Sequence, residues 1–180
     1  LTVFGTRPEA IKLAPVVKAL AQENSVVSKV CVTGQHREML DQVLGLFKIN
    51  PNYDLNLMKR AQNLNYLSTT IIQGIQKVID EYQPNILLVQ GDTTTTFAAS
   101  LCAFHNNIKV AHLEAGLRTG DPFSPWPEEA NRRMASVISS IHLAPTQQAK
   151  KNLIKESFQE RNIYIVGNTV IDSLLFCREK

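Results

Sequence analysis

Metal-ligand spacing, a glycine-rich phosphate fingerprint and a membrane span are all missing from this sequence, and each gap narrows its function. The cysteines Cys31, Cys102 and Cys177 are far apart and show no CxxC spacing. Each lies in an apolar run, where a free thiol behaves as a small core residue, so a reducing, cytoplasmic setting is expected. His36, His105, His112 and His142 form no HxxxH or His/carboxylate grouping, and no metal is expected. Neither GxGxxG nor a P-loop occurs, which weighs against NAD-type and ATP-type binding; the expected cofactor set is empty. No window reaches the roughly 18 unbroken apolar residues of a membrane span. Net charge is only +3, from 19 basic and 16 acidic residues without a contiguous basic block. Neither nucleic acid nor membrane is therefore expected as a partner.

What the sequence does have is a regular α/β alternation. Its 180 residues, 44% hydrophobic and 19% charged, suit one sizeable globular domain. β-rich runs fall at Leu1–Gly5, Ser28–Gly34, Ile86–Gln90, Lys109–Leu113, Ile141–Ala144 and Asn162–Val166, with a weaker one at Tyr53–Leu57. Helical periodicity fills the gaps. It is clearest over 65–82, where Leu67, Ile71, Ile75, Val78, Ile79 and Tyr82 recur every 3.6 residues. Strands spaced by helices predict βαβ units and a doubly wound parallel sheet. The chain opens inside a predicted strand with no start methionine, so residues are expected to precede it.

The unusual residues gather behind the strands. GTRPE, GQHRE, GDTTTT, EAGLRTGD, PT and GNT each follow one of them. In open α/β sheets that carboxyl edge is where ligands bind, near the topological switch point. Thr6 and Glu9 have capping-box spacing and Pro8 suits a first helical turn, which leaves Arg7 and Lys12 without a structural role. Two cations at a helix start oppose its dipole and are better explained by an anion. Asp92 is either the N-cap of the following helix or a catalytic group. The four threonines after it are mediocre helix formers whose hydroxyls can bond a sugar or orient a carboxylate.

The richest segment runs from His112 to Arg133. It holds Glu114, Asp121, Glu128, Glu129, Arg118 and Arg132, with Pro122, Pro125 and Pro127 as stiffeners. A pre-ordered loop carrying acids and arginines suits a site that must keep its geometry. The helix dipole accounts for one of Glu128 and Glu129. Trp126 reads equally as a hydrophobic anchor or a sugar-stacking ring. His36 can serve as a local hydrogen-bonding group, and His105 and His142 are read as structural.

FGTRPEAIKLAP, TGQHREMLDQV, GDTTTT, HLEAGLRTGD, SPWPEEANRR and GNTVID, in this order, resemble the bacterial non-hydrolysing UDP-N-acetylglucosamine 2-epimerases. The resemblance implies a Rossmann-like domain, the amino-terminal domain of a GT-B-type two-domain fold. Residues 1–168 would form it, and 169–180 would begin the crossover to a carboxyl-terminal nucleotide-binding domain. It further implies interconversion of UDP-N-acetylglucosamine and UDP-N-acetylmannosamine through a 2-acetamidoglucal, and a homodimer. By motif, Asp92, Glu114 and Glu128 become the catalytic carboxylates. Arg7, Lys12, His112 and Arg118 fall to substrate binding, and Gln35, His36 and Arg37 to a site for a second UDP-N-acetylglucosamine acting as effector. A GT-B glycosyltransferase, a hydrolysing epimerase and a non-catalytic nucleotide-sugar-binding module are the competing readings.

Overall fold

The computed structural model describes residues 1–34, 37–57 and 62–178. Seven strands form its sheet: β1 (Thr2–Phe4), β2 (Val30–Val32), β3 (Tyr53–Asp54), β4 (Ile86–Gln90), β5 (Lys109–Leu113), β6 (Ile141–Ala144) and β7 (Ile163–Ile165). Helices α1 (Arg7–Gln22), α2 (Arg37–Phe47), α3 (Leu64–Tyr82), α4 (Thr94–His105), α5 (Glu128–Ile138), α6 (Gln147–Lys155) and α7 (Val170–Arg178) alternate with them. Every pairing is parallel, in the order β3-β2-β1-β4-β5-β6-β7. The expected doubly wound α/β sheet is present, and it is Rossmann-like. Its winding reverses between β1 and β4.

All seven expected strands appear. β4, β5 and β6 keep their expected limits, while β1, β2, β3 and β7 are shorter. Pairing stops where the chain swings toward its next helix, as at Gly34 with φ +68°, a conformation glycine adopts without cost. The helix expected over 65–82 begins one residue earlier. There Asn63 caps it by accepting from the Tyr66 amide at 2.8 Å.

Alternation along the central strands feeds two large cores, and Ala144 and Ile163 of β6 and β7 join a smaller cluster with Ala149 and Leu153. Phe4, Val30, Val32, Leu88, Ala111 and Leu113 face one layer with Leu13, Leu40 and Phe47. Val3, Cys31, Leu87, Val89 and Val110 face the other with Ile71, Ile75 and Cys102. A parallel sheet covered on both faces needs apolar residues at both parities, which is why these strands read as unbroken hydrophobic runs. Burying Ile71 or Ile75, both fully inaccessible, contributes about 2 kcal/mol each. Cys31 and Cys102 belong to this core, and burial pushes their thiols up to about 12 and about 11. Cys177, expected inside as well, is instead exposed on α7. That helix lies against α1 and α2, with Phe176 stacked on Phe47 at 5.1 Å and Lys18 over its ring at 4.0 Å. Among the described residues no helix is long and apolar enough to cross a membrane.

Two histidines are part of the packing. His112 and His142 are partners across β5 and β6, and His142 packs on Phe158 at 4.9 Å. His112 Nε2 lies 2.7 Å from the Gly91 carbonyl, so the neutral ring donates there. Burial lowers both rings to about 4. In an unfolded chain they take up protons near pH 6.5, whereas the folded chain refuses them until about pH 4. Stability is therefore lost as pH falls through that window, by about 1.4 kcal/mol for each unit of a fully buried group's shift. The urea midpoint of the chain should drop steadily from pH 6.5 to 4, and His112→Gln should flatten the drop. A level profile in the unsubstituted chain would contradict this account.

Gly116, at φ +90°, passes so close to α6 that an added Cβ would meet the Ala149 carbonyl oxygen at 2.3 Å. Gly120 shares the backbone angle, φ +91°, but has nothing within 4 Å. Gly120→Ala should therefore cost only the left-handed penalty, about 1–2 kcal/mol. Gly116→Ala adds a backbone clash and should cost roughly twice that or more. Equal shifts in denaturation midpoint would show that the α6 contact is not what demands glycine.

Candidate active site

β1, β4 and β5 end side by side at the reversal point, and the loops leaving them enclose a cavity of about 480 Å³. Lys12, Gln90, Asp92, Glu114, Glu128 and Arg132 contribute to its walls, with Glu9, Thr93 and Asn131. Of the residues expected to act on substrate, the structure brings Lys12, Asp92, Glu114 and Glu128 together here.

Glu114 follows β5 directly and adopts φ +64°, a backbone region that non-glycine residues avoid and that gathers at functional sites. Its carboxylate is held from two sides. Lys12 Nζ donates at 2.8 Å to Oε1 and 2.6 Å to Oε2, and the Gln90 amide donates to Oε2. Asp92 follows Gly91, whose φ of +74° turns the chain off β4. The cap of α4 is Thr93, which accepts from the Thr96 amide at 3.1 Å. Capping thus falls to Thr93, leaving the Asp92 carboxylate to pair with Arg132. The Asn131 amide also holds the Asp92 carbonyl at 3.0 Å.

Glu128 opens α5, next to Glu129. Among the described residues it makes no hydrogen bond or ion pair, so it is the one carboxylate of the cavity without a competing partner. Glu129 behaves oppositely. Fully buried, it accepts from the Thr119 and Gly120 amides at 3.2 and 3.4 Å and lies 3.4 Å from Arg132 Nη1. It therefore ties the loop before α5 to the arginine that holds Asp92. Trp126, which could have anchored this loop, is 63% exposed and packs into no core.

The remaining expected residues lie elsewhere. Arg7 is exposed and lines an adjoining cavity with Pro8, Ile11, Lys12 and Met39. His112 is buried beneath the site, against Gly91. Arg118 is turned toward α6, with Nε 2.8 Å and Nη2 2.9 Å from the Glu156 carboxylate and Nη2 3.1 Å from Ser136. Arg37 pairs with Asp41 at 2.9 Å and with Asp54. Gln35 and His36 lie outside the described residues. Among those described, no three His, Cys, Asp or Glu side chains converge as a metal ion would require.

Sequence reasoning passed over Gln90 and Asn131, read Glu9 only as part of a helix cap, and named Arg132 without giving it a role. Gln90 was detectable as the lone polar residue closing ILLVQ, where a buried amide needs a partner. Arg132 lies four residues after Glu128, the spacing that places both on one helix face. Glu9 was concealed by its capping spacing. Its Oε2 does accept from the Thr6 amide at 2.8 Å, but Oε1 reaches the Thr93 hydroxyl at 2.7 Å.

The UDP-N-acetylglucosamine 2-epimerase family model matches residues 18–180. The chain is 57% identical over 180 residues to the UDP-N-acetylglucosamine 2-epimerase of Neisseria meningitidis serogroup A, covering 100% of itself and 48% of that protein. Against the Escherichia coli K12 protein of the same name it is 54% identical over 180 residues, with the same two coverages of 100% and 48%. The chain spans about half the length of these curated relatives and corresponds to their amino-terminal half. The crystal structure of the Neisseria meningitidis UDP-GlcNAc 2-epimerase bound to UDP-GlcNAc superposes with a TM-score of 0.97, over 99% of this chain and 48% of that one. The Methanocaldococcus jannaschii UDP-GlcNAc 2-epimerase, in complex with UDP-GlcNAc and UDP, superposes at 0.91 with 38% identity, over 97% and 48%. A lipopolysaccharide outer core galactosyltransferase, 11% identical with a TM-score of 0.59 over 93% of this chain and 45% of its own, shares the fold alone. With this sheet, these carboxylates and these relatives, the chain belongs to the UDP-N-acetylglucosamine 2-epimerase family.

Proposed function

We propose that this chain, within a protein of its relatives' full length, interconverts UDP-N-acetylglucosamine and UDP-N-acetylmannosamine by expelling and re-adding UDP. The observation that carries this reading is the convergence of Asp92, Glu114 and Glu128 on one cavity at the reversal point of the sheet. The sugar C2 proton is not adjacent to a carbonyl, so its removal alone leaves an unstabilised carbanion. Loss of UDP in the same reaction solves this. The C2–H pair becomes the C1=C2 double bond of a 2-acetamidoglucal, and the diphosphate leaves with the C1–O pair. Return of a proton to the opposite face of C2, with UDP oxygen re-bonding C1, completes the inversion. No oxidation state changes, so the balance needs no redox cofactor and no water, unlike hydrolysis.

The residues supply what these steps require. Carboxylates in several positions can take or return a proton at either face. Their charge also stabilises the oxocarbenium character that develops at C1. Glu128 opens α5 on the same cavity, where Glu114 and Asp92 are fixed in place by Lys12 and Arg132. Lys12 and the exposed Arg7 at the start of α1 suit the departing diphosphate. The full protein acts as a homodimer in the cytoplasm, where its buried thiols stay reduced. Residues 1–180 alone lack the half that grips the nucleotide. Remote binding energy of that kind holds a reacting centre in place, so this half is inactive by itself.

A full-length protein containing this chain, assayed in deuterated water, should place deuterium at C2 of its product, and residues 1–180 alone should return the sugar unchanged. Asp92→Asn, Glu114→Gln and Glu128→Gln should each lower turnover by roughly 10²-fold or more. Glu129 cannot serve as the neutral comparison, because its buried carboxylate holds the loop and Arg132; Glu23→Gln, exposed at the far end of α1, should leave turnover intact. Product carrying only protium at C2, or free N-acetylmannosamine released with UDP, would contradict the mechanism.

A further inference from the structure

We propose that Glu9 is a positioning residue of the carboxylate cluster, its buried side chain strapping the first turn of α1 to the first turn of α4 across the sheet's reversal point. The inference rests on the function proposed above and adds a residue to it. A capping box uses one carboxylate oxygen on the N-cap amide. Glu9 does more. Oε2 accepts from the Gly5 amide at 2.9 Å and the Thr6 amide at 2.8 Å. Oε1 turns the other way, to the Thr93 hydroxyl at 2.7 Å, with the Thr96 hydroxyl at 3.3 Å. These partners lie 84 and 87 residues away in sequence.

A carboxylate 1% exposed is a costly way to cap a helix, since Ser, Thr or an exposed acid does so from solvent. Burial pushes this carboxyl's pKa up, and the donors of both loops oppose that shift. The cost becomes intelligible from what the strap holds. Thr93 adjoins Asp92 and caps α4. Thr96 donates to the Gln90 carbonyl at 2.6 Å, and the Gln90 side chain in turn donates to Glu114. One helical turn beyond Glu9, Lys12 grips Glu114 from the other side. Helix α1 thereby sets both acids: Asp92 through Thr93, and Glu114 through Lys12 and Gln90. Both oxygens of Glu9 are held, Oε2 by the two amides and Oε1 by Thr93, and the side chain is 1% exposed, so it shapes the site without touching substrate.

Glu9→Gln keeps the shape of the side chain but offers one acceptor oxygen where the strap needs two. In the full-length protein it should lower kcat at least tenfold while KM for UDP-N-acetylglucosamine stays within about twofold and the folded fraction is retained. Thr93→Val should fall likewise, and Thr93→Ser, which keeps the hydroxyl, should recover most of the loss. Unchanged kcat in Glu9→Gln, or a Thr93→Ser as impaired as Thr93→Val, would overturn the proposal. Hydrogen–deuterium exchange provides an arm independent of the reaction. Residues 91–97 should exchange at least tenfold faster in Glu9→Gln while the core of β4 and β5 stays protected, and unchanged exchange there overturns the strap. If the unsubstituted protein fails to interconvert the sugars, the proposed function fails, and the exchange result still decides the role of Glu9.

Discussion

Carboxylates gather at one end of this sheet, and the need to give each a partner once it leaves water is the constraint that the rest of the site answers. Four of them are partnered. Glu9 is enclosed by backbone amides and threonine hydroxyls, Glu114 by Lys12 and Gln90, and Asp92 and Glu129 share Arg132. Among the described residues Glu128 alone is left over. A protein seeking only stability gains little from such an assembly, because buried ion pairs recover their desolvation cost only with good geometry. The proposed chemistry at a sugar ring would give it a purpose.

The sheet makes this crowding possible. Because the winding reverses between β1 and β4, the loops leaving these strands diverge to opposite faces and open a crevice between them. α1 and α4 both begin at that crevice, so two helix N-termini and Lys12 add positive potential where carboxylates accumulate. The neighbouring β5 supplies Glu114 through a left-handed residue, and the tight passage of Gly116 under α6 fixes where that loop can go.

Most of the fold was legible in the sequence, because a parallel sheet buried on both faces writes unbroken apolar runs and its helices write a 3.6-residue period. The edge strand β3, with two paired residues, was correspondingly faint. The site was legible in part. Asp92, Glu114, Glu128 and Lys12 stand out because no cap or core explains them all. Glu9 did not, because local spacing already offered a sufficient explanation and its long-range partners leave no local mark. His112 resembled a site residue for the opposite reason. It adjoins the site motifs in sequence, but strand alternation turns it beneath the crevice, where only a neutral ring fits. Which cation pairs with which acid is a property of packing between α1, β5 and α5, and sequence spacing does not encode it.

The proposed function requires the sugar nucleotide to reach the carboxyl end of the sheet, between the loops after β1, β4 and β5. Titrating UDP-N-acetylglucosamine into the full-length protein while following backbone amide resonances tests it directly. The largest shifts in this half should fall at Gly91–Thr96, Glu114–Ala115 and Glu128–Arg132, with Val26–Ser28 and Gln83–Ile86 at the opposite end unmoved. Shifts concentrated at that opposite end, or spread evenly over both, would contradict the account.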